Sequence, residues 1–443
     1  MVGLWVELPD WAHAGMRMSK MEVVVVIGQS CRGMLYMEYT TTTKRTVNRV
    51  HLVRTISALC VGFSLAALLV GSLREALGAS VCDQPTKMER TQADSVLRPF
   101  WMSFHVDREP VLFVRTSDAK AITARLLFSP THIISVRSGN GCITYDEGRD
   151  YRWKQESNIL TLTPNSRIPF RTWAQLHPAI GAAQSYGDAI GGKSSLLFVE
   201  GGAFFQRLQV TVTYDHKEQW AGVVPRPGAT HLKRSIAILR AHKSLKLVVL
   251  GDSISEGYCA SGFFGGKPYQ PPYPILVKEA LQIKYGARVV LKNFSVAGMT
   301  SKWGVSMAPA VARETPDLVI IAFGMNDASA RVSSKTYIQN ISSIMAAVRQ
   351  KNPEADFILV ATMTANPEWT KTNPALYAEY RYCLSQLVGS GVALADITSL
   401  WWNMLQLKTF VDLTGNGINH PNDFGHMVYA QVILCLFREP LHS

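Results

Sequence analysis

From Lys246 onward, five short apolar runs are separated by stretches with helical periodicity, an alternation that leaves few folds open. The runs lie at 246–251, 289–296, 318–323, 357–362 and 392–397. Between them, Leu276, Ala280 and Ile283 share one helical face, and Tyr337, Ile341, Ile344, Met345 and Val348 share another, capped by Ser333 or Ser334. A last helix is expected at about 424–436. Short, nearly continuous apolar strands are buried on both faces, so the pattern predicts a parallel, doubly wound sheet. Ligands bind such sheets outside the carboxyl ends of the strands. That directs attention to Gly251-Asp252-Ser253, where the first run stops at a polar turn.

The chain before this region reads differently. With 443 residues and 47% hydrophobic content it can build two to three domains. Between 98 and 214, short strands alternate in period two, as in Leu208, Val210, Val212 and Tyr214. Similar runs occur at 110–115, 124–128, 133–136, 159–163 and 195–200. Turn signals such as Ser138-Gly139-Asn140-Gly141 and Thr163-Pro164-Asn165 separate several of them. The expectation is an all-β domain, a sandwich or jelly roll, joined by a linker at 215–245 to an α/β domain at 246–438. Trp153, Trp173 and the stretch from Gly201-Gly202 to Phe205 are candidates for a sugar-binding face, although aromatic residues in a sandwich are more often core.

Near the amino terminus, Lys44, Arg45, Arg49 and Arg54 precede an uncharged run at 55–73, and Ala76-Leu77-Gly78-Ala79 offers small residues for cleavage. Segment 44–79 therefore reads as a signal peptide or a membrane anchor, which implies an exported protein. Residues 1–43 are an unassigned extension containing a strand-like run at 23–27. The net charge of +12 is spread along the chain rather than gathered into a block, so nucleic acid is not the expected partner. Beyond the signal, Cys82, Cys142, Cys259, Cys383 and Cys435 are far apart and show no metal-ligand spacing. Buried free thiols are expected for most of them, and neither metal nor cofactor is called for.

Four blocks carry the chemistry: Gly251-Asp252-Ser253, Asn293-Phe294-Ser295-Val296-Ala297-Gly298, Gly324-Met325-Asn326-Asp327 and His420-Pro421. In this order the α/β region resembles an SGNH, or GDSL-type, hydrolase, a family with a flavodoxin-like fold. The resemblance implies Ser253 as nucleophile and His420 as its general base. It also implies the backbone N–H groups of Ser253 and Gly298 and the side-chain amide of Asn326 as oxyanion donors.

The last block departs from the family pattern, because the aspartate expected three residues before the histidine is Gly417 here. The orienting group for His420 is then a backbone carbonyl or Asn416, followed by Asp412, with Asn419 and Asp423 as lesser candidates. Some similar proteins work with a Ser-His dyad. Tyr258 and Trp369 are candidate substrate contacts, and Phe263, Phe264, Tyr269, Tyr273, Trp401 and Trp402 are further aromatic residues near strand ends. At least one of the Trp401–Trp402 pair is expected in the core. Asp252 reads as a turn-stabilising side chain and His426 as a packed or hydrogen-bonded histidine opening the last helix. The expected function is ester hydrolysis on an acylated small molecule or polysaccharide, with deacetylation of a glycan as the specific reading. A glycan-binding protein with a degenerate hydrolase domain, or a lipid or thioester hydrolase, are the alternatives.

Overall fold

The computed structural model describes residues 23–29, 35–41, 95–116 and 121–439. The chain divides into two compact units, 1–84 and 85–443. In the first, the strand-like run becomes β1 (Val23–Gln29), paired antiparallel with β2 (Leu35–Thr41). The expected signal or anchor at 44–79 lies outside the described residues. Among the described residues, no helix is long and apolar enough to cross a membrane.

The second unit begins with strands: β3 (His105–Val111), β4 (Phe113–Arg115), β5 (Thr123–Arg125), β6 (Pro130–Ser138), β7 (Thr144–Tyr145), β8 (Tyr151–Trp153), β9 (Ile159–Leu162), β10 (Phe170–Thr172), β11 (Ser185–Asp188), β12 (Ser195–Leu197) and β13 (Val210–His216). They form one sheet in the order β3-β13-β6-β7, a second in the order β10-β4-β5-β9-β8, and the hairpin β11-β12. Pairing is antiparallel except between β10 and β4, as a β-sandwich requires. Period two is strict in β13, where Val210, Val212, Tyr214 and His216 are buried and the residues between them are half-buried. The glycine turn after β6 forms as expected, with Gly141 at φ +72° donating its N–H to Ser138 O at 2.7 Å.

The five apolar runs become β14 (Leu245–Gly251), β15 (Val289–Asn293), β16 (Leu318–Ala322), β17 (Asp356–Ala361) and β18 (Val392–Asp396). They make one parallel sheet in the order β15-β14-β16-β17-β18. Numbered within this sheet alone the order is 2-1-3-4-5, the flavodoxin-like arrangement, whose switch point lies between β14 and β16. Every residue of β16 and β17 is buried, because helices cover both faces. The final helix, Asp423–Cys435, is buried along nearly its whole length, and Trp401 is fully buried whereas Trp402 is partly exposed.

One apolar core runs through both parts of this unit. The helix Lys233–Arg240, in the expected linker, contributes Ile236 and Leu239 to it, and its Ser235 N–H donates to Asp356 Oδ2 at 2.7 Å. Polar contacts also cross the junction. Lys408, just past the helix Ile397–Leu405, reaches Glu109 Oε1 on β3 at 2.7 Å, the Pro110 carbonyl at 2.9 Å and the Arg125 carbonyl at 2.7 Å. Both side chains of this ion pair are fully buried. Burial pushes the Glu109 carboxyl above its ordinary range, and Lys408, Tyr214 and the Leu127 N–H pull against it. Removing one partner of a buried pair leaves an uncompensated charge, which costs more than the pair itself contributes. Lys408→Met is expected to lower unfolding free energy by about 3–5 kcal/mol in a denaturant titration. Adding Glu109→Gln to that variant should recover part of the loss.

Candidate active site

β14 delivers Ser253 to the carboxyl edge of the sheet. A side chain at Gly251 would sit 2.6 Å from the Ala322 carbonyl of neighbouring β16, so the strand must end there on a glycine. Asp252 then accepts the Ile254 N–H at 3.1 Å and caps the single turn Ser253–Glu256, which closes on Gly257 at φ +123°. Ser253 is the first residue of that turn, so its N–H has no partner within the helix.

Ser253 Oγ lies 2.7 Å from His420 Nε2. Both residues are buried, at 3% and 5% exposure. His420 ends a loop that Asn416 organises: its Oδ1 accepts the N–H groups of Ile418, Asn419 and His420 at 3.0, 3.0 and 3.1 Å. Thr414 Oγ1 donates to the His420 carbonyl at 2.9 Å. The other ring nitrogen, Nδ1, meets the carboxylate of Glu200 Oε1 at 3.0 Å. Burial acts to raise the Glu200 carboxyl, but the hydrogen bond and charge of His420, with help from the Asn416 amide, hold it below its ordinary value. It is therefore ionised at neutral pH. It accepts the Nδ1 proton, which leaves Nε2 free to take the proton of Ser253.

Glu200 comes from the β-rich part of the chain. The run expected to be a strand at 195–200 leaves its sheet after Leu197, because its pairing changes from β11 to the histidine loop. Phe198 N–H still donates to the Gln184 carbonyl at 2.9 Å, and Val199 N–H donates to the Asn416 carbonyl at 3.3 Å. This crossing explains Gly417. A Cβ there would lie 2.1 Å from the Leu197 carbonyl, and the residue adopts φ +92°. The aspartate that the family places at this position has no room. The strand that fills its space supplies Glu200 three residues later.

The residues expected as oxyanion donors, Gly298 and Asn326, follow the neighbouring strands. Glu256 Oε2 accepts the Ala297 N–H at 2.6 Å, which holds the loop carrying Gly298 (φ +78°) against the nucleophile turn. Asn326, after β16, donates one amide hydrogen to the Met299 carbonyl at 3.0 Å and keeps a second. Asp327 is fully buried and accepts the Ser301 N–H at 3.1 Å and the Ser301 hydroxyl at 2.5 Å. The Gly298 loop is thus anchored at both ends on the turns that carry Ser253 and Asn326.

Residues 249–428 match the GDSL-like Lipase/Acylhydrolase family. In that region the chain is similar to GDSL-type hydrolases. It is 34% identical over 107 residues to an arylesterase from Vibrio mimicus, a stretch covering 24% of this chain and 50% of that protein. The chain thus spans about half the length of the curated relative it matches. Among solved structures, it is similar to a two-domain esterase active on acetylated mannans, at 22% identity and TM-score 0.40, covering 50% of this chain and 57% of that one. It is also similar to an acetylxylan esterase from Geobacillus stearothermophilus, at 18% identity and TM-score 0.34, covering 44% and 94%.

Around His420, the candidate orienting groups are placed as follows. Asn416 touches His420 Nδ1 at 2.9 Å, but it presents its NH2 group, since Oδ1 is occupied by three backbone donors. It cannot accept the Nδ1 proton. It donates instead to Asn419 Oδ1 at 3.0 Å and Glu200 Oε2 at 3.4 Å, which steadies the acid. Asp412 is not at the histidine at all: its carboxylate accepts the Leu112 N–H at 2.6 Å and caps Thr409. Asp423 accepts the Ser261 N–H at 2.7 Å. The residues around His420 do not reveal Glu200, which is 220 positions away in the sequence. The usable signal was a carboxylate before Gly201-Gly202 at the end of a predicted strand, combined with the vacancy at Gly417.

Of the aromatic candidates, Tyr258 lies beside the site, with its ring centroid 5.3 Å from that of His420. Phe263 and Phe264 continue this wall at 5.4 and 5.9 Å from Tyr258, and both are exposed. His426 supports the wall from below: it is fully buried, its Nε2–H donates to the Tyr258 carbonyl at 3.0 Å, and burial lowers its pKa to about 4. Trp369, expected as a substrate contact, is instead 4% exposed and packed under Gly187 of the β11-β12 hairpin, and so belongs to the core. Tyr273 is likewise buried, bonded to Ser255 at 2.6 Å. A cavity of about 230 Å³ between the β-rich and α/β parts touches Cys259 and Gly415 but neither Ser253 nor His420.

The position of Glu200 makes a sharp prediction. Glu200→Gln is expected to keep the fold and lower kcat by roughly 10³–10⁴, as loss of a triad acid does. Asp412→Asn should change thermal stability with a far smaller effect on kcat; equal kcat losses would reverse the assignment. A second prediction concerns Asp252, whose carboxyl burial pushes up to about 7 from 3.8, with nearby Asp327 adding to the rise and the Ile254 N–H opposing it. Between those values the folded protein holds a proton that the unfolded chain has lost, so this group's contribution to stability falls as pH rises through the window. Asp252→Asn, which can still cap Ile254, should flatten the melting temperature profile between pH about 4 and 7.

Proposed function

We propose that the chain is a serine esterase that releases a short acyl group through an acyl-serine intermediate, with an acetylated glycan as the substrate class. The observation that carries this reading is the Ser253–His420–Glu200 relay, with contacts of 2.7 and 3.0 Å. Ser253 Oγ attacks the ester carbonyl as its proton passes to His420 Nε2. The tetrahedral oxygen is held by the donors at Ser253, Gly298 and Asn326, each worth about 2.7–4 kcal/mol in the transition state. His420 returns the proton to the departing alcohol. Water then repeats the sequence on the acyl-enzyme and frees the acid.

The match to an arylesterase is in keeping with an ester substrate. The wall of Tyr258, Phe263 and Phe264 supports a flat, partly apolar alcohol portion, such as a sugar ring or an aryl group. The vacancy at Gly417 favours a binding-only protein on sequence grounds, and the Glu200 carboxylate at His420 Nδ1 supports the hydrolase reading instead. Export through segment 44–79 is part of the same proposal.

The test is a series of aryl esters of increasing acyl length, run beside acetylated xylan. The wild-type chain is expected to prefer acetate and to label with a fluorophosphonate, and Ser253→Ala is expected to lose both activities. A rate that climbs with acyl length would favour a lipid or thioester hydrolase, and unchanged hydrolysis in Ser253→Ala would overturn the nucleophile.

A further inference from the structure

Beside the triad sits a thiol that the proposed chemistry does not use. Cys259 follows Tyr258 directly, at φ +67° and 9% exposure, and among the described residues it is one of four free cysteines. It packs against Gly415, where a Cβ would lie 3.1 Å from Cys259 Sγ, so the absence of a side chain there keeps room for the sulfur. One ligand-capable atom from each of Glu200, Cys259 and His420 lies within 4.8 Å of the other two. The Glu200 side chain is 41% exposed and opens this cluster to solvent.

We propose that Glu200, Cys259 and His420 form an inhibitory site for a thiophilic divalent cation, of which Zn2+ is the type. The set offers one oxygen, one sulfur and one nitrogen, a combination suited to zinc and its soft neighbours and poorly suited to magnesium or calcium. Zinc bonds of about 2.0–2.3 Å in tetrahedral geometry place ligand atoms about 3.5 Å apart. Glu200 Oε1 and His420 Nδ1 are already at 3.0 Å, so the main adjustment falls on the Cys259 side chain. Water completes the fourth position.

The proton balance gives the consequence. Binding takes the Nδ1 lone pair of His420, so the proton of Nδ1 moves to Nε2, and the Cys259 thiol releases its proton to solvent. Nε2–H then faces Ser253 Oγ as a donor and can no longer accept its proton. The ion also engages Glu200, so base and orienting acid are lost together. The effect on turnover rests on the esterase reading above, whereas the binding does not.

Two measurements on chelator-treated full chain separate these claims. Cobalt(II) added to a background in which Cys31, Cys60, Cys82 and Cys142 are each replaced by serine, which removes the one exposed thiol among the described residues and the three thiols outside them, is expected to give a sulfur-to-cobalt charge-transfer band in the near ultraviolet. The band should vanish on adding Cys259→Ser or Cys259→Ala. In aryl acetate hydrolysis, Zn2+ should inhibit, a chelator should restore the rate, and the inhibitory concentration should rise at least tenfold in both Cys259 variants, each compared with its own metal-free rate. No band, or zinc inhibition unchanged by either substitution, overturns the site. A cobalt band in a protein without hydrolytic activity would sink the esterase reading and leave the metal site standing.

Discussion

The Leu197 carbonyl lies over Gly417, and the architecture of the site depends on that contact. A peptide oxygen 2.1 Å from where a Cβ would stand makes any side chain at 417 impossible without displacing the strand. The close approach removes the place where an acid would ordinarily orient the histidine. It also brings the chain leaving β12 near enough for Glu200 to take that role from the opposite side. The β-rich region is therefore part of the candidate site, since without it His420 would have no carboxylate at Nδ1.

Such an arrangement demands that the two regions hold a fixed relation, because a hydrogen bond at 3.0 Å tolerates little relative movement. Buried polar contacts supply this constraint. Gln209, before β13, donates to the Val411 and Thr414 carbonyls at 2.7 and 2.9 Å and accepts from Asn422 Nδ2 at 3.1 Å. Asp412, on the same segment, accepts the Leu112 N–H. Lys408 adds the buried ion pair with Glu109. Each of these groups flanks the segment leading to His420, so the contacts that join the regions also set the height of the histidine loop. Hydrogen bonds of this kind add modest net stability, but leaving any member unpaired is costly, which favours one relative placement over others.

Much of the site was legible in the sequence. Ser253, Gly298 and Asn326 each follow a strand whose apolar run announces its end, and the sheet order places β14 and β16 side by side, where a doubly wound sheet binds its ligand. Tyr258 was legible for the same reason, being five residues from the nucleophile on the turn that leaves the strand. Trp369 misled because aromatic residues near strand ends serve core and pocket alike. Its burial beneath the β11-β12 hairpin depends on a segment about 180 residues away. Asn416 was found at the right distance from His420 but with the wrong polarity, since three backbone N–H groups fix which end of its amide faces the ring.

The sequence by itself determined the α/β sheet and the residues that stand where its strands end, Ser253, Gly298 and Asn326 among them, because these are local properties: apolar period, turn chemistry and the residue that ends each strand. It also determined that something was missing at Gly417. Only the tertiary structure decided what replaces it, because Glu200 and His420 are separated by 220 residues. Their meeting depends on where a strand of one sheet stops pairing and crosses to another part of the fold. That crossing is set by side-chain packing and by a carbonyl that requires a glycine beneath it, neither of which is written in the residues around Glu200.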